Sequence, residues 1–377
     1  MVALLWKLEP ATAAKHRLYK RYLDAWWPIM LQPNHTGYRR PRVTYVDAFA
    51  GPGRYEDGED GSPVFAIERL LTHSAVGRMN LSRDRVTMLF IERDTARWRY
   101  LRELVVSRFG PLERLPVRVE IRNADAGVDT EGMLTELDAW RAPILAVFDS
   151  WGNVNVPYDL VRRIAGVRSS EVITTFGPNW FSRRETLNTD LLDVVFGGRS
   201  FWQPADREQR PDERWRTWLD TYRSALARAG FAFQLQFEVV PHTGQPLYLV
   251  FGTGSEKGVE VMKDAMWNVD GDGGMSFRDP RTRGGVPDGQ LDLFAEIQQT
   301  DELTELLTQR LHEGRATVHE LGGWLLCETA RWRRTHARAA VTAMRDAGLV
   351  ALTPHGRITK QALVELHPSR RARRDPR

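Results

Sequence analysis

The chain has 377 residues, 42% of them hydrophobic and 27% charged, with a formal net charge of +4 at pH 7. That is the composition of a globular protein with room for two or three domains of roughly 150 residues each. No apolar run approaches the ~20 residues needed to span a bilayer, and the single cysteine, Cys327, excludes an internal disulfide and a cysteine-based metal cluster. The short apolar patch at the N-terminus lacks a basic region and a small-residue cleavage site. A cytoplasmic protein with no membrane association and no metal site is expected.

Leu18, Tyr22, Leu23 and Trp26 recur at helical spacing and predict a helix over 12–30, opened by Lys15, His16 and Arg17 and stopped by Pro28. Residues 1–40 read as an N-terminal helical extension. A first strand at about 42–49 runs from Val43 to Asp47 and on into Ala48-Phe49-Ala50-Gly51-Pro52-Gly53. A helix over 63–72 follows, opened by Ser62-Pro63. Val86 to Ile91 is a second strand ending on Glu92, with a helix over about 94–108 behind it. Val117 to Ile121 is a third, with Asp125 just past its end, and a helix over about 130–139 follows. Ile144 to Phe148 is a fourth, ending in Asp149-Ser150-Trp151-Gly152. A helix at roughly 157–166 leads to a fifth strand over Glu171 to Thr175. Five alternations of strand and helix predict an α/β fold with a doubly wound, Rossmann-like sheet over 41–269.

Residues 178–231 are rich in Trp and Arg and helical in pattern, including Trp180, Arg183, Arg184, Trp202, Trp215 and Trp218. They read as a helical insertion capping the cleft, or as plain helical packing. Phe231 to Val240 and Pro246 to Phe251, with a helix at 256–268, predict a closing antiparallel hairpin. The Gly-, Asp- and Pro-rich stretch within 270–296 reads as a linker or mobile loop. Helices at 301–312, 317–328 and 335–347 and a terminal hairpin predict a C-terminal winged-helix domain over 297–366, followed by a basic tail over 367–377.

A doubly wound sheet gathers the carboxyl ends of its strands on one rim, so Asp47, Glu92, Asp125 and Asp149 are expected round one cleft. Gly51 and Gly53 let the backbone turn tightly against a ligand. The spacing is neither G-x-G-x-x-G nor a phosphate loop. Instead, D-x-F-x-G-x-G resembles the first motif of S-adenosylmethionine (SAM) methyltransferases. The likeness implies a SAM site that includes Asp47, Phe49, Ala50, Gly51 and Gly53, with the backbone of the turn at Ala50–Gly53 meeting the methionine moiety. Glu92 would accept the ribose hydroxyls and Asp125 the adenine amino group; as plain alternatives, either acid caps a helix or is solvated.

Asp149-Ser150-Trp151-Gly152 sits where amino-methylating enzymes carry D/N-P-P-Y/F/W. Asp149 would hold a target amine and Trp151 would stack on a base, so these two are the candidate catalytic residues. Methylation at cytosine carbon 5, which uses a cysteine nucleophile, is excluded by the position of Cys327 in the C-terminal module. Basic clusters supply the candidate nucleic-acid contacts: Arg333, Arg334, Arg338 and Arg345, then Arg370 and Arg371 in a tail with five Arg among its last nine residues. A solvated tail is the plain alternative for the last of these.

The chain resembles the three-Cys-motif partner protein family (TcmP) over about residues 6–295. The matching pieces are Lys15-His16, Tyr22-Leu23-Asp24-Ala25-Trp26, Tyr45 through Tyr55, Gly61-Ser62-Pro63, Phe90-Ile91-Glu92, Asp149-Ser150-Trp151-Gly152 and Leu247 through Thr253. At the fourth strand the family usually reads D-P-F/Y-G, from which Ser150-Trp151 departs. The resemblance implies a class I SAM-methyltransferase-like protein working with a three-cysteine-motif, radical-SAM-like partner. Expected, then, is a SAM-dependent methyltransferase acting on a nucleic acid, with a base amino group favoured. A non-catalytic scaffold binding a partner protein or DNA is the alternative, and methylation of a protein or small molecule is a third.

Overall fold

A computed structural model describes residues 4–185, 187–204, 209–271, 273–281, 293–354 and 357–367, the side chains of 293–299 excepted. Eight strands form the central sheet, each of the first five followed by helix. In chain order the elements are α1 (Pro10–Leu31), β1 (Val43–Asp47), α2 (Ser62–Leu71), α3 (Val76–Met79), β2 (Val86–Glu92), α4 (Thr95–Phe109), β3 (Arg118–Asn123), α5 (Thr130–Glu136), β4 (Ile144–Gly152) and α6 (Tyr158–Ala165). Next come β5 (Glu171–Phe176), α7 (Pro178–Arg184), α8 (Thr189–Phe196), α9 (Pro211–Ala229), β6 (Phe233–Val240), β7 (Leu247–Thr253), α10 (Glu256–Val269) and β8 (Ser276–Arg278). The strand order is β3-β2-β1-β4-β5-β7-β6-β8. The strands β3 through β5 are mutually parallel, and β7 runs antiparallel between β5 and β6. This is a mixed α/β, Rossmann-like arrangement, with the order reversing between β1 and β4.

Both faces of the sheet are covered at its centre, where β1, β2, β4 and β5 are largely buried. All five residues of β1 are buried. Its alternation sends Val43 and Tyr45 into one core with α1, α2, α4 and α10, and Val46 into the other with α5, α6, α8 and α9.

Two expectations fail at the N-terminus. The N-terminal helix is no appendage: Tyr22, Trp26 and Trp27 of α1 are among the largest fully buried side chains and belong to the sheet's core. Nor does Pro28 stop the helix, which runs through it to Leu31. A proline lacks the N–H that would bond the carbonyl four residues back. Here His73 takes over: its Nε2 lies 2.9 Å from the Asp24 carbonyl oxygen. The Ala75 N–H donates to His73 Nδ1 at 2.9 Å, which leaves Nε2 as the protonated, donating nitrogen.

Two further expectations change downstream. The aromatics of 178–231 build core: Phe181 stacks on Phe176 at 4.6 Å, Phe176 on Tyr222 at 4.8 Å and Phe196 on Trp218 at 5.6 Å. Among the described residues none of this insertion lines the cleft described below. The stretch read as a linker contains β8, which pairs in parallel with β6 through Glu238↔Ser276, Val239↔Phe277 and Val240↔Arg278. Three residues of strand are too few to show a period against a Gly-rich background. Residues 272 and 282–292 of that stretch lie outside the described residues.

The C-terminal unit comprises α11 (Leu293–His312), β9 (Ala316–Thr317), α12 (Val318–Glu328), α13 (His336–Asp346), β10 (Val350–Thr353) and β11 (Leu363–Leu366). Its strands form an antiparallel sheet in the order β10-β11-β9, and it has its own core around Leu307, Leu321, Leu325 and Val341. Lys263 of α10 joins it to the sheet unit. This lysine is wholly buried, and its Nζ donates to the carbonyls of Leu325, Leu326, Thr329 and Trp332 at 3.2, 2.7, 2.7 and 2.9 Å. The first two are among the acceptors that the last turn of α12 leaves open, and the other two follow the helix. Burial pushes the Lys263 ammonium down to about 8. Among the described residues no helix is long and apolar enough to cross a membrane.

The His73 contact makes a test. His73→Ala is expected to cost about 1–3 kcal/mol in urea unfolding, because the Asp24 carbonyl loses its donor. Pro28→Ala in that background is expected to recover part of the loss by restoring a backbone N–H; no recovery would mean that His73 acts only by packing.

Candidate active site

The glycine turn follows β1 directly. Ala48 N–H donates to the Val147 carbonyl at 3.0 Å and Ala50 N–H to the Ile91 carbonyl at 2.9 Å, so the turn is pinned to both neighbouring strands. Gly51 and Gly53 have φ of +62° and +78°, the region glycine alone enters without strain. A Cβ on Gly53 would lie 2.5 Å from Leu101 Cδ1. The chain then folds back, Gly61 N–H donating to the Gly53 carbonyl at 2.8 Å.

A cleft of about 320 Å³ opens over this turn. Phe49, Ala50, Gly51, Gly53, Glu92, Asp125, Asp149 and Trp151 all line it. Asp47 lies beneath, 1% exposed, its Oδ1 accepting from Phe49 N at 3.3 Å. Burial raises its carboxyl to about 7; the nearby Ser62 hydroxyl opposes the shift and the Asp149 charge adds to it. Glu92 accepts the Asp94 N–H at 2.7 Å, and partial burial holds its carboxyl above the ordinary range. Asp125 accepts the Gly127 N–H at 2.8 Å and lies 3.6 Å from Arg93.

Asp149 departs from the role expected of it. Its Oδ1 accepts from Lys15 Nζ at 2.7 Å and Thr175 Oγ1 at 2.6 Å; its Oδ2 accepts from Lys15 Nζ at 2.8 Å and Tyr19 hydroxyl at 3.1 Å. Four hydrogen bonds from three donor groups meet the four lone-pair sites of one carboxylate. No capacity is left to hold the N–H of a target amine. Burial favours its neutral form, but the Lys15 charge and these hydrogen bonds outweigh burial and keep the carboxyl below its ordinary value. The adjacent Trp151 has φ of +57° and is 56% exposed, with Lys15 Nζ 5.0 Å from its ring centroid. A bulky residue in the left-handed region is uncommon and costs of order 1–3 kcal/mol. Gly152 behind it, at φ +86°, has room for no Cβ: one would come within 2.9 Å of Gly177 Cα.

The N-terminal segment supplies the wall that the sequence left without a function. Trp6 lies over the turn, its carbonyl accepting from Glu56 N at 2.9 Å and its ring covered by Arg97 at 4.1 Å. Lys15, His16 and Thr12 of α1 also line the cleft. Burial and the Lys15 charge lower His16 to about 3, so it is neutral, with Tyr55 hydroxyl 3.4 Å from its Nε2. The Lys15-His16 pair within the family resemblance was the available signal; the partner, Asp149, stands 134 positions away. Thr12 Oγ1, Arg54 Nε, Ser150 Oγ and Asn155 Oδ1, all from cleft-lining residues, are buried with no hydrogen-bond partner.

The candidate nucleic-acid contacts separate. Arg333 and Arg334 turn towards the sheet unit, 3.4 Å from Asp264 and 3.4 Å from Glu256 respectively. Arg338 and Arg345 are exposed on α13, Arg345 paired with Asp346 at 2.7 Å. Arg370 and Arg371 lie outside the described residues.

No known family profile and no curated protein matches the chain. Solved structures similar to it include precorrin-6y C5,15-methyltransferase from Geobacter metallireducens, at 12% identity and TM-score 0.31, over 64% of this chain and 87% of that one. The N-terminal domain of EvdMO1 with SAH bound is similar at 13% identity and TM-score 0.33, over 66% and 83%. Spermidine synthase from Thermotoga maritima is similar at 9% identity and TM-score 0.32, over 75% and 73%.

Asp47 provides a pH test of the cleft floor. Its folded-state carboxyl binds a proton more tightly than the unfolded one, so its stabilisation is complete below about pH 4 and lost as pH rises through about 7. Asp47→Asn is therefore expected to gain stability relative to wild type between those limits, with a constant difference outside them. A difference flat across pH 4–8 would place the titration elsewhere.

Proposed function

We propose that this protein is a SAM-dependent methyltransferase acting on a nucleic acid. The carrying observation is the cleft itself: a glycine turn at positive φ with no room for a side chain at Gly53, acids at the ends of β2 and β3, and four buried polar atoms without partners round the rim. Buried polar groups are rarely left unpaired, so such a cluster at one cleft suits a polar ligand. SAM fits the donor set. The backbone of Ala50–Gly53 would meet the methionine moiety, Glu92 the ribose hydroxyls and Asp125 the adenine amino group. Bound there, SAM supplies an electrophilic methyl group. The chain's own part is to hold the acceptor in line and present fixed charges.

Three helices with a small antiparallel sheet lead us to read the C-terminal unit as a winged helix, with the exposed Arg338 and Arg345 of α13 facing phosphates. A radical-SAM-like partner with a three-cysteine motif belongs to the same proposal, on the resemblance in sequence alone. One observation favours the second reading, a methyltransferase-like scaffold without turnover: Asp149 has no free lone pair for an acceptor amine.

Isothermal titration with SAM and S-adenosylhomocysteine tests the cofactor. Glu92→Ala is expected to weaken binding by about 10- to 100-fold, and Gly51→Arg to abolish it; unchanged affinity in both would remove the site. For the acceptor, nucleic-acid binding should fall with salt, and Arg338→Ala/Arg345→Ala should reduce the log–log salt slope by about 2. An unchanged slope would exclude α13 as the contact. Tight SAM binding without methylation of any polymer would favour the scaffold.

A further inference from the structure

We infer that Lys15 is the acceptor-holding group of the cleft, and that the acceptor is a hydroxyl oxygen: in a nucleic acid, the ribose 2′-OH of RNA. The inference rests on the methyl-transfer reading above and deepens it. Its basis is the state of the two groups at the end of β4. Asp149 receives four hydrogen bonds and has no site left to accept another. Lys15 has three N–H bonds and only that carboxylate as a hydrogen-bond partner among the described residues, which leaves at least one N–H uncommitted although Lys15 lines the cleft.

The group presented to an acceptor is therefore a donor only. An amine must keep its lone pair for attack and offers its N–H bonds to acceptors, and beside Lys15 the Asp149 carboxylate has none to spare. A hydroxyl oxygen has two lone pairs: one accepts from Lys15 while the other attacks. Trp151, exposed beside Lys15 and held at a positive φ, offers a face on which the base of the same nucleotide can stack.

In the transfer, the hydroxyl oxygen bonds the methyl carbon as the carbon–sulfur bond of the sulfonium breaks and its electron pair stays on sulfur. The hydroxyl proton passes to solvent water, and the Lys15 N–H hydrogen bond stabilises the negative charge that develops on oxygen as that proton leaves. Within nucleic acids the 2′-OH is the hydroxyl carried by every internal RNA residue and missing from DNA.

The test uses the full chain and unmodified transcripts with the matching DNA strands. In fluorescence anisotropy without cofactor, RNA is expected to bind at least about tenfold tighter than DNA, and Lys15→Met to remove most of that preference. With labelled SAM and digestion to nucleosides, label is expected in 2′-O-methyl nucleosides, falling by about 10²-fold or more in Lys15→Met. Lys15→Met strands the Asp149 charge, so Lys15→Met/Asp149→Asn is measured beside it as the variant that keeps the fold. SAM affinity within about threefold of wild type in the double variant separates acceptor handling from cofactor binding. Failure of wild type to bind SAM would sink the methyl-transfer reading itself. With SAM bound, label on base nitrogens, label in neither polymer, or an undiminished rate in both variants would overturn the assignment of Lys15.

Discussion

A buried carboxylate with every lone pair committed holds this architecture together. Moving a charge out of water costs several kcal/mol, and the cost is recovered only with a close counter-ion and complete hydrogen bonding. Asp149 has both, and its partners come from different elements: Lys15 and Tyr19 from α1, Thr175 from β5. The first helix is thereby fixed to the end of the fourth strand. Together with the core packing of α1, that attachment sets where Thr12 and His16 meet the cleft. Removing one partner of such a pair leaves an uncompensated charge and typically costs about 3–5 kcal/mol.

Around that pair the titratable groups are graded. His16 is neutral, lowered to about 3 by burial and by the Lys15 charge. Asp47 is raised to about 7 and sits directly behind the turn. Near neutral pH the cleft floor therefore holds one fully formed ion pair, a silent imidazole and one carboxyl balanced between its two forms. A bound cation, or a second anion, would shift that balance in opposite directions.

The sequence shows the local parts of this site and hides the relations between them. Apolar runs ending on Asp47, Glu92 and Asp149 are legible because a buried parallel strand needs them, and the Gly51-Pro52-Gly53 turn because only glycine enters its backbone region. The Lys15–Asp149 pair is not legible: each residue has an ordinary local explanation, as a helix-surface cation and a strand-end acid. Pro28 misleads for a similar reason, since its rescue comes from His73, 49 positions from Asp24. The tryptophans of 178–231 are ambiguous in composition, and for Trp202 and Trp218 packing against each other and against Phe181 and Phe196 decides for core. Arg333 and Arg334 read as a basic patch because their carboxylate partners, Asp264 and Glu256, lie on another helix.

Lys263 has a consequence for geometry. A lysine that closes the end of α12 with four carbonyl contacts makes the C-terminal unit part of the same solid body as α10. A module on a flexible tether samples many separations, and its reach is set by linker length. A docked one has a single offset. The distance from the exposed side of α13 to the mouth of the cleft is then a ruler, and a ligand that engages both must match it.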